Sequence, residues 1–558
     1  MMSRSIFQNH ELLFFDGAMG TMLQEKGWKS SEPPEVCNMI YPELVEKVHT
    51  AYARAGADII TSNTFGANSF KLKPLGYTPA EVIKKGVTIA KKAAGRRLVA
   101  LDIGPLGRLM APMSTLSFEE ACKEFALQVR TGQEAGADLI LIETMSDLYE
   151  AKAAVIAAKE NSSLPVLCSL TFEKNGRTLM GNDPVTVVTV LEALGVDALG
   201  VNCSLGPEEL LPVVQQFVQA AHVPVLVQPN AGVPEIKDGK PVYPLNPATF
   251  ADAAEKMADM GVKLLGGCCG TNPDFIRELY SRLNNRKWKR LENPVVTAVS
   301  SSRHTVLFDS GIRIAGNRIS PACLQHMVKS LKNGDLSFLY LETLVQKEAG
   351  ADIIDINVYE KEINEAEAMR GAVEFIQSMV PVPLQLSSEN YLALEAGAKA
   401  VNGKPILNSV SGYRESLEEI LPIAVKYGAC VIGKTLDESG VPESAEARLA
   451  IAERILDTAL SHGIRKQDII IDCMTESVAV KPGRAGTTLR AVSLIKQKLG
   501  LTTVLNISDI SSGMADRQAF NAAFLAMALG AGLDCAIVDP ASEEIAAMIK
   551  KYHLLFKK

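Results

Sequence analysis

Cys268 and Cys269 stand side by side at the end of an apolar run, inside Gly266-Gly267-Cys268-Cys269-Gly270-Thr271. The flanking glycines let the backbone turn sharply and approach a ligand closely. Two adjacent thiolates can grip one soft metal, but two sulfurs do not complete a tetrahedral zinc site. Cys203 offers a third, because Gly200-Val201-Asn202-Cys203-Ser204 repeats the same local context, with cysteine where a short apolar run stops. Alone, the pair would read as small buried hydrophobes, as most free cysteines are. With Cys203 in a matching place, the three predict a zinc site that is also the catalytic centre.

Three thiolates around zinc leave a net charge of about −1 and an open fourth position. Such a zinc is a poor activator of water, because the sulfurs already donate so much charge to it. It suits a substrate thiol instead, held as an electron-rich thiolate at neutral pH. The chemistry expected is alkyl transfer to a thiol. Asp16, Gly17, Glu143, Asn202 and Asn230 are the candidate substrate-binding positions. The two carboxylates and nearby backbone amides would hold the ammonium and carboxylate of an amino acid. The plainer reading of Asp16 and Glu143 is helix capping or a surface pair.

The elements that must position these residues follow a repeat. Ala55-Gly56-Ala57-Asp58-Ile59-Ile60-Thr61-Ser62-Asn63 recurs as Ala135 to Glu143, as Gly195 to Cys203 and as Gly261 to Cys268. In each, a glycine stops a helix and four or five apolar residues run to a polar one. Continuous apolar runs mark strands covered on both faces, as in parallel sheets. Amphipathic segments such as Tyr41 to Arg54 and Phe118 to Glu134 lie between them. Such a series closes as a barrel or stays an open doubly wound sheet. Eight strands fit, near 12–15, 59–63, 98–102, 139–143, 166–171, 198–202, 225–229 and 263–266. No strand is left over and no GxGxxG turn follows the first, so an α/β fold with a (β/α)8 barrel is expected.

Its mouth would be the set of polar residues where strands end: Asp16, Gly17, Asn63, Thr64, Asp102, Glu143, Asn202, Cys203, Asn230, Cys268 and Cys269. The periodicity lapses after Asn285 and resumes with Ala349-Gly350-Ala351-Asp352-Ile353-Ile354-Asp355-Ile356-Asn357. Eight further strands fit, the first near 311–316 and the last near 535–538, so two TIM barrels in tandem are predicted. The boundaries expected are 1–288 for the first barrel, 289–305 for a charged, Ser-rich linker and 306–558 for the second. The second mouth offers Asn317, Asp355, Asn357, Ser387, Asn408, Ser409, Asp472, Ser508 and Asp509, without cysteine or histidine. Carboxylates, amides and hydroxyls in that mixture suit a flat heterocycle with many donors and acceptors.

The chain has 558 residues, 47% of them hydrophobic and 22% charged, which is ample for two large domains. A net charge of −7, with no basic cluster interleaved with aromatics, argues against a nucleic-acid partner. The opening residues lack the apolar core of a signal peptide, and no stretch is long enough to span a bilayer. Ten scattered cysteines form no disulfide framework and are expected to be reduced thiols in the cytoplasm.

Phe15-Asp16-Gly17-Ala18-Met19-Gly20-Thr21, Thr61-Ser62-Asn63-Thr64-Phe65-Gly66, Asp102-Ile103-Gly104-Pro105, Gly200-Val201-Asn202-Cys203-Ser204, Pro229-Asn230-Ala231-Gly232 and Gly266-Gly267-Cys268-Cys269-Gly270-Thr271 together resemble the homocysteine S-methyltransferase family. That resemblance implies zinc on Cys203, Cys268 and Cys269 and homocysteine as the thiol. The order of modules is similar to the N-terminal half of the cobalamin-dependent methionine synthases, in which a second barrel binds methyltetrahydrofolate and a cobalamin domain carries the methyl group. It implies cofactor-binding roles for Asn317, Asp355, Asn357, Asn408, Asp472 and Asp509, and cobalamin on a separate domain or protein.

The second barrel departs from its family pattern at four places. Gly316-Asn317-Arg318-Ile319-Ser320-Pro321 stands where Gly-Glu-Arg-Ile-Asn-Pro is usual, and Ser387 replaces a strand-end aspartate. Asp509 replaces an asparagine, and Ser512-Gly513-Met514-Ala515 replaces Phe-Gly-Leu-Pro. A rival reading therefore keeps the first barrel's chemistry but draws the methyl group from a betaine or sulfonium donor. A reading of another class makes the chain a docking scaffold for a corrinoid protein, with a closed structural zinc.

Overall fold

The computed structural model describes residues 7–556 apart from 8, 10, 29–31, 238–239, 310 and 325. The chain divides into two compact units, Met1–Asn293 and Pro294–Lys558. Among the described residues no helix is long and apolar enough to cross a membrane.

In the first unit the barrel strands are β1 (Leu13–Phe14), β2 (Ile59–Thr61), β3 (Leu98–Ile103), β4 (Leu139–Met145), β5 (Val166–Leu170), β6 (Ala198–Asn202) and β7 (Val225–Gln228). A short antiparallel hairpin follows, β8 (Glu235–Lys237) and β9 (Lys240–Val242), before the last barrel strand, β10 (Leu264–Leu265). The parallel order runs β1-β10-β7-β6-β5-β4-β3-β2. Phe15 bridges Ile59 and the Asp58 amide donates to the Phe14 carbonyl at 2.7 Å, which closes the sheet on itself.

In the second unit β13 (Arg313–Ile319), β14 (Ile353–Ile356), β15 (Leu384–Ser387), β16 (Ile406–Ser411), β17 (Cys430–Lys434), β18 (Ile469–Asp472), β19 (Thr502–Asn506) and β20 (Cys535–Val538) form a closed parallel barrel. It is preceded by an antiparallel hairpin, β11 (Ala298–Ser300) and β12 (Thr305–Leu307). That hairpin lies within and just beyond the stretch read as a linker. Val299 and Val306 are buried against Ala315, Ile353, Ile406 and Cys430, and Ser300 bridges Lys404, so the hairpin belongs to the second barrel's core.

The repeat has a physical basis that its pattern alone did not reveal. Gly56, Gly136, Gly195, Gly261 and Gly350 all end helices at positive φ, between 76° and 112°, which glycine adopts without a Cβ penalty. After four of them the residue two positions on is an aspartate that turns back, whereas after Gly261 it is Lys263. Asp58 accepts from the Phe14 amide at 2.9 Å, Asp138 from Val99 at 2.7 Å, Asp197 from Val166 at 2.9 Å and Asp352 from Ile314 at 2.8 Å. Each carboxylate thus satisfies an amide at the start of a neighbouring strand. Asp534 repeats the contact with the Thr503 amide at 2.8 Å.

Inside the first barrel Leu13, Phe15, Ile59, Ala100, Leu139, Leu141, Leu167, Leu226 and Leu264 pack together. Their burial stabilises the scaffold by about 25 cal/mol per Å² of apolar surface and leaves the C-terminal strand ends free for polar groups.

Candidate functional site

The chain leaves β6 at Asn202 and turns at once. Cys203 and Ser204 sit at φ 61° and 58°, a left-handed conformation that costs non-glycine residues energy and marks a constrained turn. The Cys203 amide donates to the Gln228 carbonyl at 3.0 Å, and the Cys268 amide to the Pro229 carbonyl at 2.8 Å. These main-chain bonds bring three sulfurs from two strand ends to one point. Cys203 Sγ and Cys268 Sγ each lie 4.0 Å from Cys269 Sγ, and all three lie within 4.8 Å of one another.

Zinc–thiolate bonds of about 2.3 Å in a tetrahedron separate sulfurs by about 3.8 Å, so the trio fits one zinc with almost no movement. Hydrogen bonds from Cys203 first and Cys268 second hold Cys269 ionised and push it down to about 3, while Cys268 is pushed up well above the thiol range by its bonding to Cys203. A divalent ion is what lets all three become thiolates.

The surrounding residues are tied to this cluster. Thr271 Oγ1 donates to the Cys268 carbonyl at 2.7 Å and accepts from the Ala18 amide at 3.2 Å. A Cβ on Gly17 would come 2.5 Å from the same Oγ1, so the chain can pass here only as glycine. Asn202 Oδ1 accepts from the Thr144 amide and from Ser169 Oγ, both at 2.8 Å, and its Nδ2 donates to Glu143 Oε2 at 3.3 Å. Asp16 Oδ2 accepts from the Thr61 amide at 2.9 Å. Burial pushes Asp16 up to about 7, and it pushes Glu143 up to about 8, helped by the charges of Cys203 and Asp16. Two raised carboxyls beside a thiol cluster form a pocket that favours a cation.

The structure therefore brings Asp16, Gly17, Glu143, Asn202, Cys203, Cys268 and Cys269 together. Asn230 joins them through its amide, which donates to the Leu205 carbonyl at 3.1 Å, and its buried Oδ1 has no partner. Asp102 Oδ1 and Gln228 Oε1 are buried without partners as well. Buried acceptors are rarely left so, and these mark where a bound molecule would donate.

Gln228 and Tyr243 went unnoticed in the sequence. The Tyr243 ring lies against Gly270, where a Cβ would meet it at 2.2 Å, and burial and then the Cys269 charge raise its phenol above the usual range. Its signal was the irregular excursion between β7 and the helix Pro247–Met260, since long loops on this face of a barrel tend to carry function.

In the second barrel Asp355 Oδ1 accepts from Gln385 Nε2 at 2.8 Å and from Ser387 Oγ at 2.5 Å, and Asn408 Nδ2 donates to the same Ser387 oxygen at 2.8 Å. The hydroxyl that stands in place of a carboxylate thus links two neighbouring candidate residues. Asp472 Oδ1 accepts from the Met474 amide at 2.8 Å. Met474 is held at φ 60° by the buried Arg448, which donates to its carbonyl at 2.7 Å and pairs with Glu476 at 2.7 Å.

Asp509, in the 3-10 turn Ile507–Ser511, is pushed up to about 6 by burial and then by Asp472, against the opposing charges of Lys434 and Arg517. Asp355, Asn408, Asp472 and Asp509 therefore share one mouth. Asn357 spends its Oδ1 on the Tyr359 amide at 3.0 Å. The first strand runs later than expected, so Asn317 lies within β13 near a register shift between Gly316 and Ile319, not beyond the strand end. The pattern did not reveal Lys434, Gln385 or Asn506, because each ends or interrupts an apolar strand as a single polar residue.

The two parallel barrels thus carry different mouths, one a thiol cluster and the other carboxylates and amides. Residues 13–283 match the family model described as homocysteine S-methyltransferase, and residues 326–539 match that described as pterin binding enzyme. The first barrel is thus similar to the homocysteine S-methyltransferases, and the second to the pterin binding enzymes.

It is 31% identical over 566 residues to methionine synthase of Mycobacterium tuberculosis (strain ATCC 25618 / H37Rv), covering 94% of this chain and 47% of that protein. It is 30% identical over 583 residues to methionine synthase of Mycobacterium leprae (strain TN), with the same coverage. The chain thus spans about half the length of the curated relatives it matches. Among solved structures, the metallated homocysteine methyltransferase MmuM from Escherichia coli is 26% identical, with a TM-score of 0.44, over 50% of this chain and 99% of that one. A Xanthomonas albilineans dihydropteroate synthase is 17% identical, with a TM-score of 0.38, over 47% of this chain and 98% of that one.

Proposed function

We propose that the chain makes methionine by methyl transfer to homocysteine at the first barrel, with the methyl group supplied from methyltetrahydrofolate on the second through a cobalamin carrier on a separate domain or protein. The observation that carries this reading is the meeting of Cys203, Cys268 and Cys269 within 4.8 Å at a barrel mouth lined by raised carboxyls. Cys203, Cys268 and Cys269 are the residues that would hold zinc, whose chemistry is to keep a bound thiol as a nucleophilic thiolate at neutral pH.

The protein's own groups do the rest. Asp16 and Glu143 receive the substrate ammonium, which draws both carboxyls to their ionised forms. Asn202 fixes the Glu143 carboxylate through its 3.3 Å bond. Asn230 Oδ1 and Gln228 Oε1 accept donors from the substrate, and Gly17 lets the strand end pass close against Thr271. Correct placement of the sulfur against the incoming methyl carbon supplies much of the rate, since orientation alone is worth several kcal/mol. In the second barrel Asp355, Asn408 and Asp472 grip the pterin ring and Asp509 lies close to the nitrogen that gives up the methyl group. A reducing compartment, the cytoplasm, keeps the thiols available.

The test is product formation with homocysteine and three donors: free methylcobalamin, methyltetrahydrofolate with added cobalamin, and betaine. Methionine from the first two supports the reading. Turnover with betaine alone would transfer it to the small-donor alternative, and turnover with none would favour a scaffold.

A further inference from the structure

The second mouth contains one cation that the functional reading leaves unused. Lys434 ends β17, and its Cα is the ladder partner of Asp472 on β18. In a parallel sheet ladder partners on neighbouring strands are about 4.8 Å apart and direct their side chains to the same face. The half-buried ammonium lies near enough to act electrostatically on Asp355, Asp472 and Asp509. Among the described residues it forms no salt bridge and no side-chain hydrogen bond. Around it Gln385 Oε1, Asn408 Oδ1 and Asn506 Oδ1 are buried and also lack partners. The mouth therefore displays several acceptors in need of donors and, beside them, one donor-only group in need of an acceptor.

This arrangement has a chemical complement. A ring edge carrying an amino group and a ring N–H donates twice to a carboxylate, and a carbonyl next to that N–H faces whatever stands beside the carboxylate. We propose that Lys434 is a ligand-binding residue of the second barrel that takes the ring oxygen of a 2-amino-4-oxo heterocycle whose N–H edge lies on Asp472, so that the mouth selects oxo over amino at that ring position. The inference rests on the pterin reading of the second barrel and adds to it the residue that sets the ring's chemical class. A lysine discriminates here by repulsion as well as attraction. Facing oxygen it makes a charge-assisted hydrogen bond, whereas facing an amino group it meets a second donor and stays buried without a partner.

The test is titration of the full chain, by calorimetry, with 5-methyltetrahydrofolate and with its 4-amino-4-deoxy counterpart, for wild type, Lys434→Gln and Lys434→Met. Circular dichroism and bound zinc report whether each variant is folded. Wild type is expected to bind the oxo ring about 10-fold or more tightly than the amino ring, on the scale of a charge-assisted hydrogen bond. Because the amino ring also lacks the ring N–H that Asp472 accepts, part of the preference persists without the lysine: Lys434→Gln, which can donate or accept, should lower the oxo-to-amino ratio about 3-fold or more, and Lys434→Met should lower it by weakening the oxo ring alone.

A wild type that binds both rings equally would overturn the inference, as would variants that keep the wild-type ratio or weaken both rings alike. Each of those results leaves the pterin site standing. If wild type binds neither ring, the pterin reading fails and the inference with it.

Discussion

The two barrels share a scaffold and differ in what their mouths lack. The first holds three sulfurs that repel one another as thiolates and two carboxyls raised by burial, an arrangement that suits a divalent ion and an ammonium group. The second already carries a cation, Lys434, among its carboxylates, and its unmet need is for hydrogen bonds at Gln385, Asn408 and Asn506. On the proposed reading one mouth recognises its ligands chiefly by charge and metal coordination, the other by the donor and acceptor pattern of a neutral ring. On the same strand–helix frame, the side chains at the strand ends set which kind of binding prevails.

The largest expected effect lies in the first barrel. Cys268→Ala removes a metal ligand and should lower homocysteine methylation by more than the roughly 100-fold that loss of an outer-shell partner costs. Zinc analysis should find less than one ion per chain, while pterin titration of the second barrel stays unchanged. Unchanged zinc would break the contrast between the mouths.

Next comes Asp472→Asn, which leaves one good acceptor where two served the ring. Pterin affinity should fall about 10-fold to 100-fold, with zinc content unaffected. A loss of zinc in that variant would mean that the sites are not separable.

A smaller effect concerns pH and stability. Asp16 and Glu143 titrate near 7 and 8 in the folded protein, well above the roughly 4 of an unfolded carboxyl. The folded state then binds more protons than the unfolded one, so their contribution is fully present below about pH 4 and is lost as pH rises through 7 to 8. Thermal melts of the ligand-free protein should show a contribution to the midpoint that falls from about pH 4 to pH 8 and levels off above it, and Asp16→Asn should flatten part of that slope. Added homocysteine should flatten it too, because its ammonium stabilises the ionised carboxyls. A slope identical in wild type and Asp16→Asn would show that Asp16 does not titrate in this range.

The smallest is Asp509→Asn. Asp509 titrates near 6, so its neutral form can donate a hydrogen bond below that pH and not above it. Methyltetrahydrofolate should bind wild type more weakly as pH rises through 6, by less than about 10-fold, and bind the variant with a flat profile. Tight binding indifferent to both substitution and pH would place Asp509 outside the site.

Strand count, barrel closure and the thiol trio were legible in the chain because each depends on local order. A helix-stopping glycine, an apolar run and a polar residue at its end lie within a dozen positions, and one repeat of that pattern predicts the next. Cys203 could be matched to Cys268 and Cys269 only because all three occupy the same place in that repeat. The structural use of the repeat's aspartates escaped notice, since Asp58 reaches back to Phe14 and Asp138 to Val99, contacts that exist only once the strands lie side by side. The first hairpin strand, Ala298–Ser300, falls in the stretch 289–305 expected as a linker, because the polar, serine-rich sequence around it hides the buried Val299.

What only the tertiary structure decided is which polar residues meet, and in what state. Lys434 looks in sequence like one lysine at a strand end, and its place opposite Asp472 comes from the register of β17 on β18. Ser387 becomes a link between Asp355 and Asn408 through bonds across β14, β15 and β16. The raised carboxyls of Asp16 and Glu143 likewise come from burial between distant strands. Strand identity is set by neighbours along the chain, whereas charge state and hydrogen-bond partnership are set by neighbours in space, which closing the barrel alone supplies.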